Sequence, residues 1–284
     1  MSTTISSDGT VIAFDRVGSG PPVILVHPAF SHRSFNPEMA ELARLLSTQL
    51  TVFNYDRRGR GESGDGQPYA VEREIEDLAA LIRAAGGSAF VYGMSSGAVL
   101  ALEAANHGLA IEKLALYEPP FITDDTRPPV PDDFLPQMRD LISADRGGDA
   151  VEYFMTTGPG VPAEVVAQMR TQPVWPAFEA VAHTLVYDVA VMGDTQQGKP
   201  LAPERLDGVA VPTLVIVGSE SPAWARNSTQ ALTNGLRDGQ LRVLEGGFHA
   251  IPPATLALVL LEFFGAVGPS EAATGAAGRQ EGSR

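Results

Sequence analysis

One short segment of the sequence carries a serine in a pattern suited to nucleophilic catalysis. Residues 93–97 read G-M-S-S-G, so that a glycine stands two residues before Ser95 and another two residues after it. This pattern is typical of a sharp turn from a strand into a helix, where only small neighbours let the two elements approach closely. The turn would present the Ser95 hydroxyl above a sheet edge, with the first amides of the helix facing the reaction centre. Ser95 is therefore the candidate nucleophile.

A histidine near the end of the sequence is the candidate base. His249 follows a strand predicted at residues 241–244 and precedes a helical pattern at residues 255–264. A loop at the carboxyl edge of the last strand would bring its imidazole over the serine. Because the ordinary pKa of histidine is near 6.5, the ring can take the serine proton and return it to a leaving group. A capping or surface role is the structural alternative.

Short apolar strands alternate with helices on both sides of these residues. Strands are predicted at residues 10–14, 23–26, 51–55, 89–92 and 113–117, with helices at 71–84 and 98–106. The alternation resumes with strands at 213–217 and 241–244 and helices at 223–236 and 255–264. This rhythm predicts an α/β fold with βαβ units and a mostly parallel central sheet flanked by helices.

The strand signal disappears between residues 122 and 205. Amphipathic helical patterns replace it around residues 134–142, 150–155 and 178–192. We therefore expect an inserted helical cap at 122–205 and a core built from residues 1–121 and 206–266. Residues 267–284 are dominated by small and charged residues without an apolar period, which predicts a disordered tail.

Composition narrows the classes of partner. The net charge of −14 makes binding to nucleic acid or to an anionic membrane unfavourable, and no apolar run is long enough to span a bilayer. Residues 1–7 are polar and do not resemble a secretory signal, so a cytoplasmic location is expected. The sequence has no cysteine, no H-E-x-x-H motif and no dinucleotide fingerprint, so we expect no metal and no organic cofactor. A small molecule is the expected partner, and the oligomeric state is left open.

Over residues 3–266 the sequence resembles the α/β-hydrolase superfamily. The resemblance rests on residues 23–27, on the segment D-R-R-G-R-G-E-S at 56–63, on the pentapeptide at 93–97 and on the position of His249. It implies the α/β-hydrolase fold. It also implies a scaffolding role for the charged loop that contains Asp56, Arg57, Arg58 and Arg60.

The resemblance further implies an oxyanion hole made by the backbone N–H groups of Ala29 and Ser96. Pro28 stands where the family usually has glycine and has no N–H of its own, but the expected donor is on Ala29. The hole is therefore expected to form with an altered loop geometry. His27 and His32 are expected to structure this loop, with a substrate contact by His32 as the alternative.

The third member of the triad departs from the family pattern. The family usually places an aspartate shortly after the strand predicted at 213–217, but Ser221 stands there and cannot carry a negative charge. Glu220 is one residue early, and Glu118 ends the preceding sheet strand, from which some members take their acid. We favour Glu118 because Pro119 should hold it extended and stiffen the turn. Glu220 remains the alternative acid, and a purely structural role of both carboxylates is the other alternative.

The function implied is that of a serine hydrolase that acts through an acyl-enzyme. Ser95 would attack a small or medium apolar ester, lactone or thioester, with His249 as base and Glu118 orienting the imidazole. A cofactor-free perhydrolase or a natural-product tailoring enzyme would use the same triad. A noncatalytic ligand-binding protein is the alternative from another class, and the missing aspartate is what favours it.

Overall fold

A computed structural model describes residues 1–265 of the 284-residue chain. These residues contain one eight-stranded sheet, whose strands lie in the order β1-β2-β4-β3-β5-β6-β7-β8. The strands are β1 (Ser2–Ile5), β2 (Val11–Val17), β3 (Pro22–Val26), β4 (Thr51–Tyr55), β5 (Ala89–Met94), β6 (Ile111–Tyr117), β7 (Thr213–Gly218) and β8 (Gly239–Leu244). Strands β3 to β8 pair in parallel, and β2 runs antiparallel to both of its neighbours. The predicted mostly parallel sheet is confirmed.

The helices cover both faces of this sheet. They are α1 (Pro37–Leu46), α2 (Val71–Ala85), α3 (Ser96–Asn106), α4 (Phe134–Ser143), α5 (Gly147–Thr157), α6 (Ala163–Met169), α7 (Trp175–Ala180), α8 (Leu185–Met192), α9 (Ala223–Gly235) and α10 (Pro253–Phe264). Helices α2, α3 and α9 contribute to one buried cluster, and α1 and α10 to the other. The inner strands are buried on both sides, which explains why their sequences are continuously apolar.

One described strand and two described α-helices had not been predicted from the sequence. Strand β1 is a short, mostly exposed edge strand, so it shows little apolar signal. Helix α1 begins where the Asn36 side chain accepts a hydrogen bond from Met39 N at 2.9 Å, which is a capping pattern that the sequence does contain. Helix α6 is only seven residues long and buries Val166 alone.

The segment between β6 and β7 contains helices α4 to α8, and we call residues 122–205 the helical insertion. The single helix predicted at 178–192 is wrong in one respect, because a 3₁₀ turn at Ala182–Thr184 separates α7 from α8. That break buries Thr184 completely and turns α8 towards α3. The tail predicted at 267–284 lies outside the described residues.

Candidate active site

The turn between β5 and α3 holds Ser95 in a strained conformation. Its φ of 55° and ψ of −125° fall outside the regions that non-glycine residues ordinarily occupy. The strand and the helix approach so closely that a Cβ on Gly97 would lie 2.6 Å from the His27 carbonyl oxygen. A Cβ on Gly93 would lie 2.7 Å from the Ala98 Cα. Glycine is therefore required at both ends of this turn.

Ser95 opens into a cavity of about 200 Å³. Ala29, Ser96 and His249 line the same cavity, so the structure brings the predicted nucleophile, base and both oxyanion residues to one place. Most of the remaining wall is apolar and includes Phe30, Met94, Pro120, Phe154, Met192 and Phe248. Among the described residues that line it, only His249 can carry a charge.

The His249 ring lies on the side of the cavity nearest Glu118. It stacks on Phe248 with ring centroids 3.9 Å apart and meets Tyr117 edge-on at 5.8 Å. Its Nε2 lies 3.4 Å from the Glu118 main-chain oxygen and 4.0 Å from Glu118 Oε2. The His249 ring forms no hydrogen bond with the Ser95 hydroxyl in the described structure. Burial lowers the pKa of His249 to about 4, so the ring is neutral and able to act as a base at neutral pH.

Glu118 is completely buried beside this histidine. Its Oε1 accepts hydrogen bonds from Gly218 N at 2.9 Å and from Ser221 Oγ at 2.5 Å. Its Oε2 accepts one from the backbone N–H of His249 at 2.5 Å. Burial raises the pKa of Glu118, while these three donors act in the opposite direction by stabilising the charged form.

The prediction that Pro119 holds Glu118 in an extended conformation is wrong. Glu118 has a φ of 45°, so Pro119 does not hold it extended. What fixes the Glu118 carboxylate is the set of donors from the ends of β7 and of the histidine loop. Glu220, in contrast, has an exposed side chain, and its backbone N–H donates to Gly246 O at 2.9 Å.

Ser221 is a functional candidate that sequence reasoning treated only as a missing aspartate. It is fully buried and donates its hydroxyl to Glu118 across 103 positions of sequence. A serine where the family carries its acid could have been interpreted as a partner for a carboxylate on the neighbouring strand. The structure places that carboxylate within reach.

The two loop histidines differ in their surroundings. His27 is fully buried between Ser31 Oγ and Asn54 Oδ1, each 2.6 Å from one ring nitrogen. Burial lowers its pKa to about 4, so His27 stays neutral and ties the loop after β3 to β4. His32 is half-buried, stacks on Phe35 at 5.6 Å and lies 3.2 Å from Ser34 Oγ. His32 is not part of the cavity wall.

Four charged residues of the loop after β4 are buried, namely Asp56, Arg57, Arg58 and Arg60. Asp56 accepts hydrogen bonds from the backbone N–H groups of Arg33 and Glu62, at 2.8 and 2.9 Å. Arg58 forms a bidentate pair with Asp77 at 2.7 and 2.8 Å. These contacts hold the loop together. Within residues 1–265, no three His, Asp or Glu side chains cluster in a way that could hold a metal ion.

The sequence profile of the alpha/beta hydrolase family matches residues 23–256, which include every candidate residue above. The chain belongs to the α/β-hydrolase family. The structure of an α/β hydrolase from Sphaerobacter thermophilus is similar to it, with 54% identity over 93% of this chain and 100% of that one and a TM-score of 0.85. None of the curated proteins compared with the chain matches it significantly.

Two more distant structures share the hydrolase fold alone. A thermophilic esterase from Thermogutta terrifontis is 21% identical, covers 93% of this chain and 97% of its own, and has a TM-score of 0.65. An enol-lactonase from Burkholderia xenovorans is 20% identical, covers 93% and 100%, and has a TM-score of 0.66. No helix in the described part of this α/β hydrolase is long and apolar enough to cross a bilayer.

Proposed function

We propose that this chain is a serine hydrolase that cleaves a carboxylic ester, lactone or thioester through Ser95, His249 and Glu118. The observation that carries the proposal is the strained Ser95 turn, which opens into the same cavity as a neutral histidine backed by a buried carboxylate. Ser95 attacks the carbonyl carbon while His249 takes its proton. Glu118 orients the imidazole and stabilises its charged form, and water then releases the acid.

The imidazole has to turn for this reaction. In the resting structure its Nε2 faces the Glu118 main chain rather than the serine. Catalysis requires one ring nitrogen to face Ser95 Oγ and the other to face the Glu118 carboxylate. The His249 side chain is partly exposed and lines the cavity. Catalytic hydrogen bonds are often long in unliganded enzymes and tighten only when substrate binds.

The cavity indicates a small, neutral and mainly apolar acyl group. At roughly 30 Å³ for each water-sized group, its volume of about 200 Å³ holds on the order of seven non-hydrogen atoms. Aromatic and methionine side chains from both the core and the helical insertion surround that space, with the buried Gln196 as a polar exception. The helical insertion thus serves as the cap that selects the acyl chain.

The structure of this site weakens the case for a noncatalytic ligand-binding protein. That alternative rested on the serine at position 221 in place of an acid. Glu118 lies against His249 from the neighbouring strand, and Ser221 hydrogen-bonds to it. A perhydrolase or a tailoring enzyme would use the same side chains, and product analysis separates these outcomes from simple hydrolysis.

Labelling with a fluorophosphonate tests the nucleophile directly. We expect one equivalent of probe on the wild-type protein, none on Ser95→Ala, and full labelling of Ser219→Ala, a control that changes an exposed serine. In a parallel screen of aryl esters and small lactones, turnover should peak at short acyl chains and fall beyond about six carbons, because of the cavity volume. Absence of both labelling and turnover would contradict the hydrolase proposal and favour a ligand-binding protein.

A further inference from the structure

Two buried arginines and one buried aspartate join the helical insertion to the backbone next to Ser95. Arg57, Arg60 and Asp188 are each at most 1% exposed. Asp188, in α8, pairs with Arg57 at 2.7 Å through Oδ1 and with Arg60 at 2.5 Å through Oδ2. Glu74 neutralises the second arginine charge by a bidentate pair with Arg57. Burying such ion pairs costs desolvation energy that offsets much of their attraction. Their contribution here is the fixed geometry that they impose on the groups around them.

Arg60 contacts the peptide group that carries one of the two expected oxyanion donors. Its Nη1 donates to the Pro28 carbonyl oxygen at 2.7 Å, and this oxygen also accepts a longer bond from Ser31 N at 3.4 Å. In a planar trans peptide the C=O and the next N–H point in opposite directions. Since the Pro28 oxygen faces Arg60, the Ala29 N–H faces away from it. Ala29 lines the cavity together with Ser95.

Arg60 is itself held by residues of the helical insertion. The Nε of Arg60 donates to Thr184 Oγ1 at 3.0 Å, and the Nη2 of Arg60 donates to Asp188. Thr184 is fully buried and belongs to the turn that precedes α8. With three nitrogens engaged on three different partners, the guanidinium has one orientation, and two of those partners, Thr184 and Asp188, belong to the helical insertion.

The same aspartate also binds the side chain of the residue that carries the other expected donor. Ser96 Oγ donates to Asp188 Oδ1 at 2.7 Å, and Ser96 is the residue whose N–H follows the nucleophile. Arg57 Nη1 lies 3.4 Å from this hydroxyl and 3.3 Å from the His27 carbonyl oxygen. One buried carboxylate from the insertion therefore contacts Ser96 directly and is linked to the Pro28–Ala29 peptide through Arg60.

We propose that Arg60, held by Asp188 and Thr184, is a positioning residue that orients and polarises the Pro28–Ala29 peptide so that the Ala29 N–H can stabilise the oxyanion. This inference rests on the proposed hydrolase function. Because Pro28 has no N–H group, this side of the oxyanion hole depends on the N–H of the Pro28–Ala29 peptide, whose carbonyl oxygen Arg60 binds. A cation on a carbonyl oxygen strengthens the N–H of the same peptide as a donor. Asp188 and Thr184 thus take part in the chemistry although neither lines the cavity.

Arg60→Met compared with Arg58→Met tests the proposal. Both variants remove a buried guanidinium from the same loop, but Arg58 pairs with Asp77 and Asp8 and has no contact with Pro28. The assays are kcat and KM for a short-chain aryl ester, and the affinity of a trifluoromethyl ketone, whose adduct with Ser95 places an oxyanion in the hole. All are measured well below the unfolding temperature of each variant.

We expect Arg60→Met to lower kcat about 10- to 100-fold, with little change in KM and a similar loss of ketone affinity. Arg58→Met should keep kcat within about threefold of wild type. Thr184→Val changes no charge and serves if Arg60→Met does not fold, with an expected loss of at least about threefold in kcat at constant KM. Unchanged kcat and ketone affinity in the folded Arg60 or Thr184 variant, or an equal loss in Arg58→Met, would overturn the proposal.

The outcome is separable from that of the hydrolase proposal. If wild-type Ser95 does not react with the fluorophosphonate, the hydrolase function itself fails. If the wild type is labelled and active while Arg60→Met keeps its kcat, only the positioning role fails.

Discussion

Replacing Glu118 by glutamine removes one charge from the site and leaves the side chain the same size. The carboxylate accepts three hydrogen bonds, from the N–H groups of Gly218 and His249 and from the Ser221 hydroxyl. An amide has one acceptor oxygen and one NH₂ donor, so whichever way it is placed its NH₂ faces a backbone N–H. One buried N–H then loses its partner. We expect Glu118→Gln to lower the free energy of unfolding by about 1 to 3 kcal/mol.

The loss of activity should be larger than the loss of stability. An imidazolium at His249 would no longer face a negative charge, and the corresponding change in a serine protease lowers kcat by about four orders of magnitude. Because Glu118 Oε2 lies 4.0 Å from the ring before substrate binds, we expect a loss of about 10³- to 10⁴-fold. This is about 4 to 5 kcal/mol of transition-state stabilisation.

Glu220→Gln is the matched control, since it makes the same chemical change at an exposed side chain. Its unfolding free energy should stay within about 0.5 kcal/mol of wild type and its kcat should be unchanged. Steady-state kinetics on a short-chain aryl ester and urea unfolding of both variants provide the comparison. Full activity in Glu118→Gln, or a loss of orders of magnitude in Glu220→Gln alone, would refute the assignment of the acid.

Three further predictions concern pH and the elbow. Because burial lowers the pKa of His249 in the free enzyme from 6.5 to about 4, kcat/KM, which reports the free enzyme, should persist well below pH 6.5 and fall towards pH 4 as the ring takes up a proton. A kcat/KM profile with its acid midpoint at 6.5 or above would contradict this. The fully buried His27 has the same lowered pKa of about 4. On acidification His27 is therefore protonated in the unfolded chain before it is protonated in the folded one, so that lowering the pH from about 6.5 to 4 should reduce the free energy of unfolding by about 3 kcal/mol. In urea unfolding, the free energy of unfolding of His27→Gln should decrease less steeply with falling pH than that of the wild type. At the elbow, Gly97→Ala would put a methyl group 2.6 Å from the His27 carbonyl oxygen, which should cost about 2 kcal/mol or more in thermal unfolding and slow fluorophosphonate labelling of the serine; wild-type behaviour would show that the turn can widen freely.

Much of the fold could be predicted because its signals are local. Strand β4 at Thr51–Tyr55 has the predicted bounds, and α2 differs from its prediction by one residue. Each is set by its own apolar period and by neighbouring turn residues. The elements that were missed or merged, such as β1 and the break between α7 and α8, have weak periods of their own. Their bounds depend on what they pack against.

The candidate site also has a part that local sequence predicts and a part that depends on tertiary contacts. The sequence by itself determined the Ser95 turn, because the close approach of strand and helix demands glycine at Gly93 and Gly97 wherever the rest of the chain lies. Only the tertiary structure decided that Glu118 meets His249 across 131 positions and that Asp188 meets Arg60 across 128. A carboxylate is chemically the same in any part of a sequence. Its role depends on which donors surround it after folding, and those donors come from strands and helices that are adjacent only in space.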